Sequence, residues 1–175
     1  MNVSPRDVFV SVGRTSGEEQ EAFVRSVEHL LEDAGFKPRT LGRTEFSSEK
    51  PLERVMDIMS GAAGAVVIAL KRKCIQQGVE LQGTDPARVI VNERLPTVWN
   101  QIEAAMAYVL GLPLLVVVED GLHAEGLLEA KYDWFVQCVE LERATLETRE
   151  FRGVFRDWAE RARRHATAYE AGESA

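Results

Sequence analysis

The sequence has little cysteine and no long hydrophobic run. Two cysteines in 175 residues are too few for a disulfide framework, so we expect a reducing compartment. The longest apolar runs, 65–70 and 112–118, are far shorter than the roughly 20 residues that span a bilayer. No cationic start followed by an apolar stretch resembles a signal peptide. These absences predict a cytoplasmic protein with no membrane partner.

Positive charge is also scarce. The formal net charge is −7, which argues against a nucleic-acid backbone as the main partner. The one basic cluster, 161–165, is typical of the solvated face of a terminal helix. Cys74 and Cys138 lack a paired ligand pattern, so we expect no metal site. The segment 13–17 lacks the three-glycine spacing of a dinucleotide fingerprint, and we expect no resident cofactor.

Short apolar segments alternate with segments of helical periodicity. The predicted strands are 7–12, 36–41, 65–70, 114–118 and 132–141, and the last predicted helix is 148–170. This alternation predicts an α/β fold, a single-domain three-layer flavodoxin-like sandwich over 1–175 with a central, mostly parallel sheet of about five strands. Residues 71–95 interrupt the alternation and are predicted to be an insertion or long loop. We interpret residues 71–95 either as a lid over one end of the sheet or as a disordered segment.

The segment 96–113 reads as a helix that leads into a buried strand. Thr97 is placed to cap the helix, and Gly111 ends it. An apolar stripe at helical spacing predicts the core face; its members are Ile102, Met106, Val109 and Leu110. Glu103 lies beside this face, one turn after Trp99. A carboxylate next to a large aromatic residue is a candidate catalytic group, and a solvated glutamate favoured by the helix dipole is the alternative.

Parallel sheets bind ligands beyond the carboxyl ends of their strands. That rule gathers Ser11, Gly13 and Arg14 after the first strand with Arg43 and Arg72 from later loops. Guanidinium groups bind phosphate in a bidentate manner; the alternative for each arginine is a solvated loop residue. Ser11 and Gly13 allow a ligand to approach the backbone closely, or only make a turn.

Three segments carry a resemblance to known families. Residues 8–11 resemble the first strand of a TIR domain, and 51–70 resemble its later helix and apolar strand. Residues 99–103, Trp-Asn-Gln-Ile-Glu, are similar to the pattern that carries the catalytic glutamate of NAD-cleaving TIR domains. Residues 103–113 are similar to the helix that the nucleophilic glutamate opens in nucleoside 2-deoxyribosyltransferases. The Asp-Gly-Thr turn of the transferases is absent, which favours cleavage over transfer.

The resemblance implies cleavage of an N-glycosidic bond, by hydrolysis or base exchange, in NAD or a related nucleotide or nucleoside. Glu103 is the implied catalytic carboxylate, and NAD is a possible substrate rather than a cofactor. One carboxylate suffices where nicotinamide leaves uncharged. The candidate substrate-binding residues are Ser11, Gly13, Arg14, Arg43, Arg72 and Trp99. TIR-like domains also assemble, so we expect a homo-oligomer. The alternative is a non-catalytic module that senses a nucleotide or assembles with copies of itself.

Overall fold

The computed structural model describes residues 6–129 and 136–173. The strands are β1 (Asp7–Val12), β2 (Lys37–Arg39), β3 (Gly64–Ala69), β4 (Lys73–Glu80), β5 (Arg88–Leu95), β6 (Leu114–Glu119) and β7 (Val136–Val139). The helices are α1 (Glu18–Asp33), α2 (Pro51–Ser60), α3 (Val98–Val109), α4 (Arg143–Leu146) and α5 (Arg149–Glu173), with a 3₁₀ turn at Gly126–Leu128.

Five strands form one parallel sheet in the order β2-β1-β3-β6-β7. All six residues of β3 are buried, as its continuous apolar sequence requires for a central strand covered on both faces. The predicted α/β flavodoxin-like sandwich is therefore confirmed. The second strand is shorter than predicted. The last strand covers part of the predicted 132–141, and residues 130–135 lie outside the described residues.

Two apolar layers cover the faces of the sheet. Side chains alternate along each strand, so Val8 and Val10 pack against α1 and α5, whereas Phe9 packs against α2 and α3. Within the described residues, no helix is both long enough and apolar enough to cross a bilayer. The layer of α2 and α3 is the one that carries the candidate catalytic helix.

The buried face of α3 differs from the predicted one. Asn100, Ala104 and Ala107 face the sheet and are at most 1% exposed, whereas Val109 is 83% exposed and Ile102 is 36% exposed. Small alanine side chains let the helix approach the sheet closely, and this favours their face over the bulkier one. The predicted stripe instead lies towards α2 and solvent, with only Met106 partly buried against the core.

The insertion 71–95 is a β-hairpin rather than an irregular loop. β4 and β5 pair antiparallel from Lys73↔Leu95 to Glu80↔Arg88 and form a separate two-stranded sheet. The loop prediction is wrong because the β-branched run at 89–91 has a matching partner strand in 73–80. Both strands are mostly exposed, and Val89 on the hairpin is 66% exposed.

Candidate functional site

The start of α3 is anchored to the carboxyl ends of two strands. The Thr97 hydroxyl accepts a hydrogen bond from the Trp99 N–H at 3.3 Å, so the predicted cap is present. One turn later, the Asn100 side-chain Nδ2 donates to Ser11 Oγ at 3.0 Å and to the Ile68 carbonyl at 3.3 Å. These bonds join the helix to β1 and β3. They place the next turn, with Glu103, at the ligand-binding edge of a parallel sheet.

A cavity of about 290 Å³ opens beside Glu103. Its lining residues are Val12, Gly13, Arg14, Leu41, Pro51, Trp99 and Glu103. The volume lies near the lower end of the range for small-molecule pockets. Four residues that the sequence analysis selected (Gly13, Arg14, Trp99 and Glu103) thus meet in one cavity, and they come from a loop after β1 and from the first turns of α3.

Glu103 is partly withdrawn from water. The side chain is half-buried, and it forms no ion pair with any residue that the structure describes. Burial raises the pKa of its carboxyl group from 4.5 to about 7, because a low-dielectric environment disfavours the charge. The nearby Ser11 side chain acts in the opposite direction and lowers that pKa. Near pH 7 the carboxyl group therefore populates both its neutral and its ionised form.

Two arginines lie at this cavity or at the small pocket that adjoins it. Arg14 lines the cavity, and Arg72 Nη1 donates to the main-chain oxygen of Arg14 at 3.4 Å. Arg72 lies on a small adjoining pocket that Gly13 and Arg14 also line. Across the described ranges, neither guanidinium group forms an ion pair with a carboxylate. Both are exposed and are free to meet an anionic group of a ligand.

The third predicted arginine has a different environment. Arg43 pairs with Glu21 at 2.9 Å and with Glu28 at 3.2 Å, both on α1. Arg43 and the Thr15 hydroxyl lower the pKa of the Glu21 carboxyl group to about 2, and the same pairing raises the pKa of Arg43. Arg43 is not among the described residues that line the cavity. The ion pairs of Arg43 therefore connect the segment between β2 and α2 to α1.

Some residues of the site escaped the sequence analysis. Leu41 and Pro51 form an apolar side of the cavity, although they follow no recognisable motif. Asn100 is 1% exposed. The sequence feature that could have identified it is a polar residue three positions before Glu103 in a largely apolar helix. Ser11 was predicted to let a ligand approach the backbone, and its buried hydroxyl accepts a hydrogen bond from Asn100 Nδ2.

No cluster of histidine, cysteine, aspartate or glutamate side chains among the described residues has the geometry to hold a metal ion. The His123 ring nitrogens lie 3.5 Å from Glu93 and 3.2 Å from Glu125. The cavity therefore offers one carboxyl group, one guanidinium group and an indole ring as its chemical groups.

Comparison with solved structures gives several likenesses. No protein-family model matches the sequence, and no curated protein matches it significantly. The CMP N-glycosidase BcmB of Clostridium botulinum is 10% identical over 79% of this chain and 92% of its own, with a TM-score of 0.49. The TIR domains of the activated Roq1 resistosome, which directly recognizes the pathogen effector XopQ, are 16% identical over 93% and 84%, with a TM-score of 0.43. At these identities and scores, neither likeness shows a substrate or a mechanism for this chain.

Proposed function

We propose that the protein cleaves the N-glycosidic bond of NAD or a related nucleotide or nucleoside, with Glu103 as the catalytic carboxylate. One observation carries this proposal. Glu103 is half-buried, has no ion-pair partner among the described residues and borders a cavity of about 290 Å³. A glutamate with only a structural role is normally solvated or paired with a cation. An unpaired carboxyl group that borders a cavity is instead typical of a catalytic group.

The chemistry follows from the charge that develops in the reaction. As the bond from the sugar C1′ to the base nitrogen breaks, its electron pair leaves with the base, and positive charge spreads over C1′ and the ring oxygen. The ionised Glu103 carboxylate stabilises this charge or bonds to C1′ as a glycosyl ester. Water then adds its oxygen at C1′ and releases a proton to solvent; where the ester has formed, its bond from C1′ to the Glu103 oxygen breaks in the same step and the carboxylate is regenerated. Another base that attacks C1′ in place of water gives base exchange.

The remaining groups of the cavity fit a nucleotide. The Trp99 indole, which is 43% exposed, offers a flat face on which a base can stack. Arg14 is placed to pair with a phosphate, and Arg72 extends the positive charge beyond it. Among the described residues that line the cavity, only Glu103 has a carboxyl group, which favours substrates whose base leaves uncharged. Nicotinamide leaves NAD in this way, and NAD is therefore the first substrate to test.

The test is release of free base by purified protein. We would incubate wild-type protein separately with NAD, a nucleoside 5′-monophosphate and a nucleoside, and quantify the base by chromatography. Glu103→Gln keeps the shape of the side chain and removes the charge, so we expect at least a hundredfold slower release. Glu160→Gln is the matched control, because Glu160 is exposed on α5. Equal release by wild type and Glu103→Gln would refute the proposal.

A second candidate is a module that binds a nucleotide or assembles with copies of itself, without catalysis. An apolar groove of about 550 Å³ between α2 and α3 favours it, since exposed apolar surface of this kind often marks an interface. The groove residues include Leu52, Met56, Ile102 and Met106. Nucleotide binding by calorimetry without any free base, together with a concentration-dependent mass by light scattering, would favour this candidate.

A further inference from the structure

The side of α3 that faces away from the sheet carries an unbroken row of apolar residues. The buried residues of this helix, such as Asn100 and Ala107, face the sheet, and the helical repeat of 3.6 residues places another set on the opposite side. This set, which we call the outer row, consists of Val98, Ile102, Ala105 and Val109. The alanine is half-buried and the other three are exposed. The outer side of a surface helix is normally polar, so α3 has the composition of a helix that a further element covers.

The outer row has the spacing of a contact between two helices. Its members are four, three and four residues apart, which is the spacing of the a and d positions in coiled coils. The spacing is the same in both directions along the helix. Two identical helices that pack antiparallel about a twofold axis therefore place Val98 opposite Val109 and Ile102 opposite Ala105. A large side chain then meets a small one near the axis, which allows close packing. A helix of another protein would not require this symmetry.

The outer row can be covered without burying a charge. Of the 12 residues of α3, all of which the structure describes, only Glu103 is charged, and it lines the cavity rather than the outer row. The nearest charges on α2 are Glu53 and Asp57, which lie along the groove that flanks the row. Because an unpaired buried charge is costly, this arrangement suits an interface whose centre is an apolar pair of helices.

The apolar area on this side of the molecule is sufficient for a dimer. The row is continuous with the groove between α2 and α3, because Ile102 belongs to both. The large exposed side chains of the combined face are Leu52, Met56, Val98, Ile102 and Val109. Their exposed fractions correspond to roughly 500 Å² of surface. A standard interface takes about 800 Å² from each partner, of which about 60% is apolar. The face therefore supplies the apolar area that one partner of a stable dimer needs.

We propose that two copies of this chain form a dimer, in which the outer rows of α3 pack antiparallel about a twofold axis. Leu52 and Met56 of α2 lie at the border of this interface. No member of the outer row is among the described residues that line the cavity. The dimer therefore goes beyond the proposed cleavage and does not depend on it.

Sedimentation velocity measures the mass of the protein in solution. At about 50 μM the wild type should sediment as a dimer, at twice the chain mass of 19.5 kDa. Val109→Glu should raise the dissociation constant at least about a hundredfold, because it places a charge in the apolar centre of the interface. Val89→Glu is the matched control, since it introduces the same charge at an exposed valine of the hairpin. Circular dichroism establishes that both variants are folded.

Disulfide cross-linking tests the direction of packing. The exposed cysteines Cys74 and Cys138 are first replaced by serine. A mixture of the Val98→Cys and Val109→Cys variants, oxidised with copper–phenanthroline, should then form a disulfide between two chains, because these positions face each other in the antiparallel pair. Each variant alone should form at least about tenfold less cross-linked product, because its own cysteines lie at opposite ends of the interface.

Three results overturn the proposal. A wild type that remains monomeric at about 200 μM would leave the face to a partner other than this chain. A dimer that Val109→Glu weakens no more than Val89→Glu does would place the interface elsewhere. Cross-linking of either cysteine variant alone as efficiently as the mixture would contradict the antiparallel packing. None of these measurements needs a substrate, so absence of base release from wild type would refute the proposed cleavage and leave the dimer standing.

Discussion

The buried carboxyl group of Glu103 has a measurable effect on folding. Its pKa is about 7 in the folded protein and 4.5 in the unfolded chain. Between these values the unfolded chain has lost the proton and the folded protein still holds it. The free energy of unfolding therefore falls as the pH rises from 4.5 to 7, and it levels off above that range. Glutamine carries no charge at any pH, so Glu103→Gln removes this loss.

The size of the effect follows from the same two values. A pKa of about 7 in place of 4.5 corresponds to about 3 kcal/mol at most, at 1.36 kcal/mol for each pH unit. The side chain is half-buried beside an open cavity, so water and salt screen part of the charge. We therefore expect the free energy of unfolding of Glu103→Gln, relative to wild type, to rise by about 2 kcal/mol between pH 4.5 and pH 8.

Urea denaturation at several pH values measures this difference. Wild type, Glu103→Gln and the exposed control Glu160→Gln are unfolded at pH 4.5, 6, 7 and 8, and the free energies are compared pairwise. The control reports the effect of removing a carboxylate that is exposed on α5 and lies outside the cavity. A difference between Glu103→Gln and wild type that does not change with pH would show that Glu103 is hydrated in solution.

Three further variants test the surroundings of the site. Arg14→Ala should raise the KM for a phosphorylated substrate about tenfold and leave the KM for the matching nucleoside unchanged. Equal effects on the two KM values would show that Arg14 does not bind the phosphate. Arg43→Ala should leave base release unchanged and lower the free energy of unfolding by about 1 kcal/mol at pH 7. That loss should disappear towards pH 2, where Glu21 becomes protonated; a loss independent of pH contradicts the ion-pair assignment. Gly13→Ala should cost about 1 kcal/mol, because its Cβ would lie 3.0 Å from Thr97 Cγ2 and disturb the cap of α3; an unchanged thermal midpoint would contradict that contact.

The strand pattern could be predicted from sequence because burial on both faces imposes continuous apolar runs. The runs 65–70 and 114–118 became central strands β3 and β6 for this reason. The hairpin was missed because each of its strands is exposed on both faces and has no regular alternation of apolar and polar residues. The two strands are stabilised by pairing with each other, and the sequence pattern of either segment alone does not indicate this pairing.

The candidate site was predictable only in part. Glu103 and Trp99 stand in a recognisable spacing, and Arg14 and Gly13 follow a strand end, so all four could be selected. The core face of α3 was predicted wrongly, because a search for hydrophobic periodicity gives most weight to large apolar side chains. The face that packs against the sheet instead carries the small residues Ala104 and Ala107. Ser11 and Asn100 are 89 residues apart in sequence, and only the fold brings them together.

The most direct test of the role of Glu103 is the pH dependence of base release. With wild-type protein and a substrate whose base leaves uncharged, such as NAD, we expect the rate to rise with pH through a midpoint near 7, because the ionised carboxylate is the active form. Glu103→Gln should show only the background rate across the whole range. A midpoint that persists in Glu103→Gln, or a wild-type rate that does not change between pH 5 and pH 9, would contradict the assignment of Glu103 as the catalytic group.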